Sequence, residues 1–397
     1  MIVIPPVTRE ERPWRQTQRA GTRADRLVRS ITVTIPSPLA AMDLSIPSSV
    51  AGELDAAARA VVTLDAGHGS DLSALSGLLL RTESVASSKI ENLDASVDDY
   101  ARALHGARSN ASAVAMVAAS RAMERLMASA AESRQVALND LLAAHQSLMA
   151  DEPMERAHAG RVRAVQNWVG GSDYSPRGAL LVPPPPELLT GLLDDLLAFA
   201  NRADVPSLLQ ATVAHAQFET LHPFTDGNGR LGRALVNAIL RARGTTTKVV
   251  VPIASALVAR RDAYFSALDA FREGDLEPIL MRFAGAALIA AEEASVTAER
   301  LRQLPDEWRE SLGRTRRGSA PLLLVEHLLT HPVIDAADVE TSLGVRTSVA
   351  YAAIERLESS GVLRSLTDRK RNQVWGASAL MDELSDLDTR IQSRARR

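Results

Sequence analysis

At 397 residues the chain has room for two or three domains, and 46% hydrophobic content with only 4% aromatics asks for a core of Ala, Leu and Val in closely packed helices. The absence of cysteine excludes disulfides, thiolate catalysis and cysteine-ligated zinc or iron–sulfur centres. A formal net charge of −3 gives no global field toward nucleic acid or anionic membranes, and no apolar run has the length of a bilayer span or a signal-peptide core, so a cytoplasmic protein is expected.

Residues 1–50 are rich in Pro and Arg with little helical period. Within them Ser30–Pro36 is β-branched and reads as a short strand or an extended arm. Helical spacing covers Val50–Leu64, Asp71–Leu80, Ala101–Ala130 and Ala137–Met149. Between these lies Ser84-Val-Ala-Ser-Ser-Lys-Ile-Glu-Asn-Leu93, where Val85, Ile90 and Leu93 leave Ser87 and Glu91 one helical turn apart. Taken alone, that is an ordinary exposed helix face.

The chain then changes character. Gly160–Gly171 alternates enough for an extended arm, Ser172–Gly178 are turn residues, and Ala179–Val182 reads as a return arm. Pro183–Pro186 end it, since proline cannot donate to a ladder. Glu187–Asn201, Pro206–Leu221, Gly229–Arg243, Arg260–Gly274 and Leu276–Ala291 are predicted helices. Tyr264, Phe265 and Leu268 share one side of the fourth, and His215 on the second reads as a packed residue.

The second and third of these helices flank His222-Pro-Phe-Thr-Asp-Gly-Asn-Gly-Arg-Leu-Gly-Arg233. Pro223 disfavours helix at the residue before it, so the preceding helix should end near Leu221. Asp226, Gly227, Asn228 and Gly229 make a tight polar loop whose glycines allow positive φ and a close backbone approach to a ligand. Arg230 and Arg233 project together from the next helix's first turn, away from the apolar stripe of Leu231, Leu235, Ala238 and Ile239. A helix N-terminus already carries positive potential, so two cations there make sense if a polyanion binds. The stretch reads as a phosphate cradle with a carboxylate for a metal and an imidazole alongside.

Glu299–Gly318 reads as a linker helix ending in a boundary. Beyond it come predicted helices at Pro321–Leu329, at Asp335–Leu343 with Asp335 as cap, and at Thr347–Ser359 with Val349, Ile354 and Leu357 inward. A hairpin over Val362–Trp375 completes a winged-helix order. Arg346, Thr347, Ser348 and Tyr351 would face a major groove, and Arg369, Lys370 and Arg371 would reach phosphate from the wing. Yet thirteen basic against eleven acidic residues over Arg314–Arg397 leave only about +2, so docking on protein or a homodimer contact stands beside DNA binding.

The motif at His222–Arg233 resembles, at every defining position, the Fic-family signature His-x-Phe-x-Asp/Glu-Gly-Asn-Gly-Arg-x-x-Arg. The resemblance covers about Ser84 to Ala290 and implies an all-α fold: a helical core with a β-hairpin flap (about 165–182), here followed by a small winged helix-turn-helix. It implies nucleotidyl transfer, most often of AMP from ATP onto a protein hydroxyl, with ATP as substrate and Mg2+ as cofactor. The target would be a protein carrying a Ser, Thr or Tyr hydroxyl, the enzyme itself included. His222 would be the general base, Asp226 the magnesium ligand, and Phe224 a structural anchor. Gly227, Asn228, Gly229, Arg230, Gly232 and Arg233 would bind the nucleotide. Tyr264 would lie near the adenine or pack in the core.

By the same resemblance Ser87, Glu91 and Asn92 belong to an inhibitory helix (about 84–96), with Glu91 taking Arg233 from the γ-phosphate. The flap would hold a target segment by main-chain pairing. The expected layout is an N-terminal region (1–125), a catalytic core (126–298), a linker (299–318), a winged helix (319–378) and a tail (379–397). Two other readings stay open. One is a DNA-binding regulator whose Fic core senses nucleotide; the other is removal of AMP, or transfer of another nucleotidyl group, at the same site.

Overall fold

The computed structural model describes residues 4–16, 20–67, 72–106, 110–367 and 373–397, without the side chains of 72–74. The chain is mostly helical and divides into two compact units. Unit one comprises Met1–Ala58, Arg121–Thr245 and Arg260–Gly285; unit two comprises Arg59–Ser120, Thr246–Ala259 and Ala286–Arg397.

The N-terminal segment holds β1 (Thr8–Pro13), α1 (Arg23–Arg26) and β2 (Ser30–Ile35). The strand expected at Ser30 is therefore real, and its partner was not foreseen: β1 runs antiparallel to it, with Thr8 opposite Ile35. Next come α2 (Ser48–Ala66), α3 (Leu72–Ile90), α4 (Val97–Leu104), α5 (Ala111–Ser133) and α6 (Leu138–Met149). The single helical pattern expected over 101–130 is broken, because Gly106 turns the chain at φ 81° and the side chain of Asn110 accepts from Ala113 N at 3.1 Å to start α5.

The first unit is built on α7 (Leu189–Ala200), α8 (Ser207–Leu221) and α9 (Asn228–Ala242). In α8 every residue from Leu208 to Leu221 is buried, so it is a central helix rather than an amphipathic one. Several of its polar side chains bond inside: Thr212 and Thr220 donate back to Leu208 O and Ala216 O, and Gln217 donates to Ser37 O at 2.9 Å. Helix α9 packs on α8, and Gly232 permits the close approach. A Cβ at Gly232 would stand 2.7 Å from Glu219 Oε1 and 3.0 Å from Phe218.

The extended arms expected at 160–171 and 179–182 do not form a ladder. One bridge, Val169 with Leu181, joins them among the described residues, and Ser172 N closes the connection on Arg177 O at 3.1 Å. Below that bridge Pro183 and Pro184 have no N–H to give, and side chains take over. Gln166 Nε2 donates to Pro183 O at 2.9 Å and Arg163 Nη2 to Pro184 O at 2.6 Å.

The rest of the chain forms α10 (Ile253–Ala259), α11 (Arg261–Arg272), α12 (Glu277–Leu312), α13 (Ala320–Leu328), β3 (Val333–Asp335) and α14 (Ala336–Leu343). It ends with α15 (Thr347–Ser359), β4 (Leu363–Ser365), β5 (Val374–Ala377) and α16 (Ser378–Arg396). Helix α12 runs past the stop expected at Ala291 and through Pro305, because Leu301, Leu304, Trp308 and Leu312 continue a buried face. Asp335 caps α14 as expected, in a reciprocal box with Asp338. Strand β3 was missed; it completes a three-stranded sheet of order β3-β5-β4. Val349 points outward, contrary to expectation, and Ala350 and Ala353 join Ile354 and Leu357 inside. The residues expected as a tail are α16, which packs on α3 and α10 and buries Leu380, Leu384, Leu387 and Ile391.

Candidate functional site

The site grows from the junction of α8 and α9. His222 is the left-handed C-cap of α8 (φ 47°, ψ 59°), its N–H bonded to Phe218 O at 2.9 Å. A non-glycine residue in that region is held by its surroundings. The holding groups are Arg163 and Asn167, whose Nε and Nδ2 donate to His222 O at 2.9 and 3.3 Å. Arg163 also bonds Val165 O at 3.0 Å and is 4% exposed; burial pulls its guanidinium down to about 10, still protonated at neutral pH.

After Pro223 the loop is clamped from inside. Asn228 Oδ1 accepts from Phe224 N at 2.8 Å and its Nδ2 donates to Phe224 O at 2.9 Å, while Asn167 Nδ2 reaches the same oxygen at 2.8 Å. The buried Phe224 ring stacks on His145 of α6, centroids 3.9 Å apart and planes 14° apart. His145 Nδ1 accepts from Gly160 N at 2.9 Å, which leaves Nε2 as the protonated nitrogen donating to Asp226 O at 3.1 Å. Burial holds this imidazole neutral, with its pKa down at about 4.

Gly227 follows with φ 75°, and a Cβ there would lie 2.5 Å from Met149 Cε, so only glycine fits both the angle and the space. Asp226 keeps its carboxylate outward, 57% exposed, with Oδ1 accepting from Gly227 N at 2.6 Å. Its Oδ2 lies 3.5 Å from Arg230 Nη2. The Arg230 side chain is only 5% exposed, and its buried Nε and Nη1 find no hydrogen-bond partner among the described residues. Arg233, one turn on, is 2% exposed. The two arginines are thus enclosed rather than projecting, as the sequence alone suggested. A buried guanidinium with unmet donors, at the start of a helix, is an anion site in waiting.

Several expected residues lie elsewhere. A Cβ at Gly232 would face Phe218 and Glu219 of α8, and one at Gly227 would face α6, so both positions shape the backbone around the loop. Tyr264 is fully buried, its hydroxyl 2.9 Å from His215 Nε2 and its ring against Phe283, so it packs in the core. Phe265, by contrast, is 38% exposed under the Arg261 guanidinium.

Ser87, Glu91 and Asn92 belong to the second unit, whereas Arg233 belongs to the first. Ser87 is buried in α3, which ends at Ile90, so Glu91 and Asn92 form the exposed turn after it. Asn92 adopts φ 62°, and the N–H groups of Glu91 and Leu93 return to Ser88 O. Arg346, Ser348 and Tyr351 are exposed at the start of α15; Arg369, Lys370 and Arg371 lie outside the described residues. The residues missed from sequence are His145, Arg163 and Asn167.

The helices and loops that build this site coincide with a family match. Residues 135–240 match the model described as Fic/DOC family. The chain is 29% identical over 153 residues to protein adenylyltransferase fic-1 of Caenorhabditis elegans, covering 38% of this chain and 27% of that protein. It is 31% identical over 163 residues to protein adenylyltransferase Fic of Drosophila grimshawi, covering 40% and 30%. A probable protein adenylyltransferase of Aquifex aeolicus is 35% identical over 104 residues, covering 26% and 30%. The matched stretch thus spans less than a third of each relative's length.

Among solved structures, a Fic family protein from Desulfovibrio desulfuricans has the same fold over 84% of this chain and 97% of its own, at TM-score 0.52 and 20% identity. Fic-1 of C. elegans matches 64% of this chain and 74% of its own, also at 0.52 and 20%. No helix among the described residues is long and apolar enough to cross a membrane. Residues 135–240, which hold the clamped loop and both arginines, are the part of the chain that matches the Fic/DOC family.

Proposed function

We propose that this chain is a protein adenylyltransferase, moving AMP from ATP to a hydroxyl side chain of a protein and releasing pyrophosphate. The observation that carries the reading is Arg230: a nearly buried guanidinium with two unmet donor nitrogens, beside the free N-terminal turn of α9 and the exposed carboxylate of Asp226. Phosphoryl chemistry needs that arrangement, with positive charge placed where negative charge moves.

In the reaction the hydroxyl oxygen bonds to the α-phosphorus, the bond from that phosphorus to the bridging oxygen of pyrophosphate breaks, and His222 takes the hydroxyl proton. Imidazole suits the task because it titrates near neutrality. The clamped main chain of His222 aims the ring without help from substrate. Because the Asn228 amide is already bonded to Phe224, phosphate contacts near it would come from backbone N–H groups of the α9 first turn, with Arg230 and Arg233 on the outer phosphates. Asp226 Oδ2 fits a magnesium ion, which when bound would neutralise charge on the phosphates. Glu91 would compete with the γ-phosphate for Arg233 and so restrain the enzyme.

Incubation with labelled ATP and magnesium, with and without protein substrates, tests the reading. Label on protein in the wild type and none in His222→Ala supports it. Nucleotide binding with no covalent label supports instead a nucleotide-sensing regulator. That second reading draws on one feature, the exposed Arg346, Ser348 and Tyr351 on α15, which suit a winged-helix contact with DNA. Loss of a gel shift on Glu substitution of Arg369, Lys370 and Arg371 would favour DNA over a homodimer contact.

A further inference from the structure

Within the second unit α3, the segment after it and α16 enclose a pocket of about 190 Å3. Pockets for drug-sized ligands run to roughly 300–1,000 Å3, so this one takes a molecule of about amino-acid size. Val85, Val97, Tyr100 and Leu384 give it an apolar wall. Three of its hydroxyls have already placed their hydrogens: Thr82 on Leu78 O at 3.0 Å, Ser385 on Met381 O at 3.3 Å, and Thr389 on Ser385 O at 2.8 Å. Toward a ligand they offer only lone pairs.

The charged lining residues are Lys89 from α3 and Asp388 from α16, with Nζ and Oδ2 3.4 Å apart. Both keep binding capacity. The ammonium has three N–H groups and this one partner among the described residues; Asp388 Oδ1 is buried with no partner among them, so a ligand would meet Asp388 at Oδ2. Asp388 Oδ2 is further tied to Gln392 Nε2 at 2.9 Å. The choice of lysine is itself informative, because Lys89 is one of three lysines in a chain with 45 Lys and Arg residues. An arginine fork would grip Asp388 with two bonds; a compact ammonium leaves room beside it.

We propose that this pocket binds a free α-amino acid with an apolar side chain, its ammonium on Asp388 and its carboxylate on the spare N–H groups of Lys89. Such a zwitterion carries its two charges on one carbon and lies antiparallel to the Lys89–Asp388 pair, so all four charges meet opposite signs. A simple amine would set a second cation beside Lys89, and a simple carboxylate a second anion beside Asp388. The apolar side chain rests on Val85, Val97 and Leu384. Occupancy would join α3 to α16 just ahead of the Glu91 turn; that regulatory consequence rests on the reading of Glu91 as a brake, and the binding itself does not.

Calorimetry of the full chain with L-leucine, isoamylamine and 4-methylpentanoate tests the proposal. Leucine is expected to bind, and each half-ligand to bind at least ~10-fold more weakly. Lys89→Met and Asp388→Asn should each weaken leucine by ~10-fold or more. Ala95→Leu, which fills the cavity without touching the ion pair, should do the same in a protein whose circular dichroism is unchanged. No heat from leucine, isoleucine, valine or methionine at millimolar concentration overturns the proposal. So does equal affinity for leucine and isoamylamine, or undiminished leucine binding in the folded variants. Because no transfer assay enters, failure of the brake reading leaves this result standing.

Discussion

His145 Nε2 donates to the main-chain oxygen of Asp226 at 3.1 Å, from a ring that also stacks on Phe224. One buried imidazole on α6 thereby holds both the apolar anchor of the motif loop and the backbone of its carboxylate residue. His145→Ala should lower stability by about 2–4 kcal/mol, through a cavity and an unmet Asp226 oxygen. It should also cut transfer by loosening the loop. Thermal unfolding beside a labelling assay checks both; unchanged stability would remove His145 from the account.

The same group sets a pH dependence. Its pKa is about 4 when folded against 6.5 for the ordinary imidazole, so below pH 6.5 the unfolded chain takes the proton first. Stability from this residue is therefore full above pH 6.5, falls as pH drops toward 4, and is flat below. The loss across that window should be about 3 kcal/mol. Denaturant titrations of wild type and His145→Gln from pH 4 to 7 should differ in slope, with the wild type steeper.

Arg230→Gln keeps a polar side chain and removes its charge. It should weaken ATP by about 2–3 kcal/mol, since hydrogen bonds to charged groups are lost. Stability should hold or rise, because Nε and Nη1 are unmet in the folded chain. Calorimetry with ATP and magnesium, paired with a melting curve, separates this from a structural role, in which stability falls and ATP affinity does not.

Glu91→Gly should raise transfer by on the order of 10²-fold, because Arg233 would be released to align the γ-phosphate. Arg233→Ala in that background should reverse the gain, as both changes act through one contact. Equal rates in wild type and Glu91→Gly would end the brake reading.

How much of this was legible in the sequence varies with the range of the interaction. The end of α8 at Leu221 and the start of α9 at Asn228 follow from Pro223 and the glycines, which act locally. Arg163 and His145 were not legible as loop holders, because each reaches carbonyls 59 and 81 residues away. Strands β1 and β3 were missed for a like reason: short segments become strands only through a distant partner. Tyr264 reads from sequence as either near the adenine or packed, and only its distant contacts with His215 and Phe283 show the packing. The close packing of Gly232 on α8 was likewise not legible, because its neighbours Phe218 and Glu219 lie on another helix.

The central claim is that His222 moves the proton in AMP transfer while the loop and α9 bind the nucleotide. Intact-protein mass spectrometry after incubation with ATP and magnesium, in the Glu91→Gly background with and without His222→Ala, tests it most directly. The account predicts AMP on the first protein and a ~10²–10⁴-fold slower appearance on the second, with ATP affinity largely kept. AMP appearing at the same rate on both proteins would contradict it.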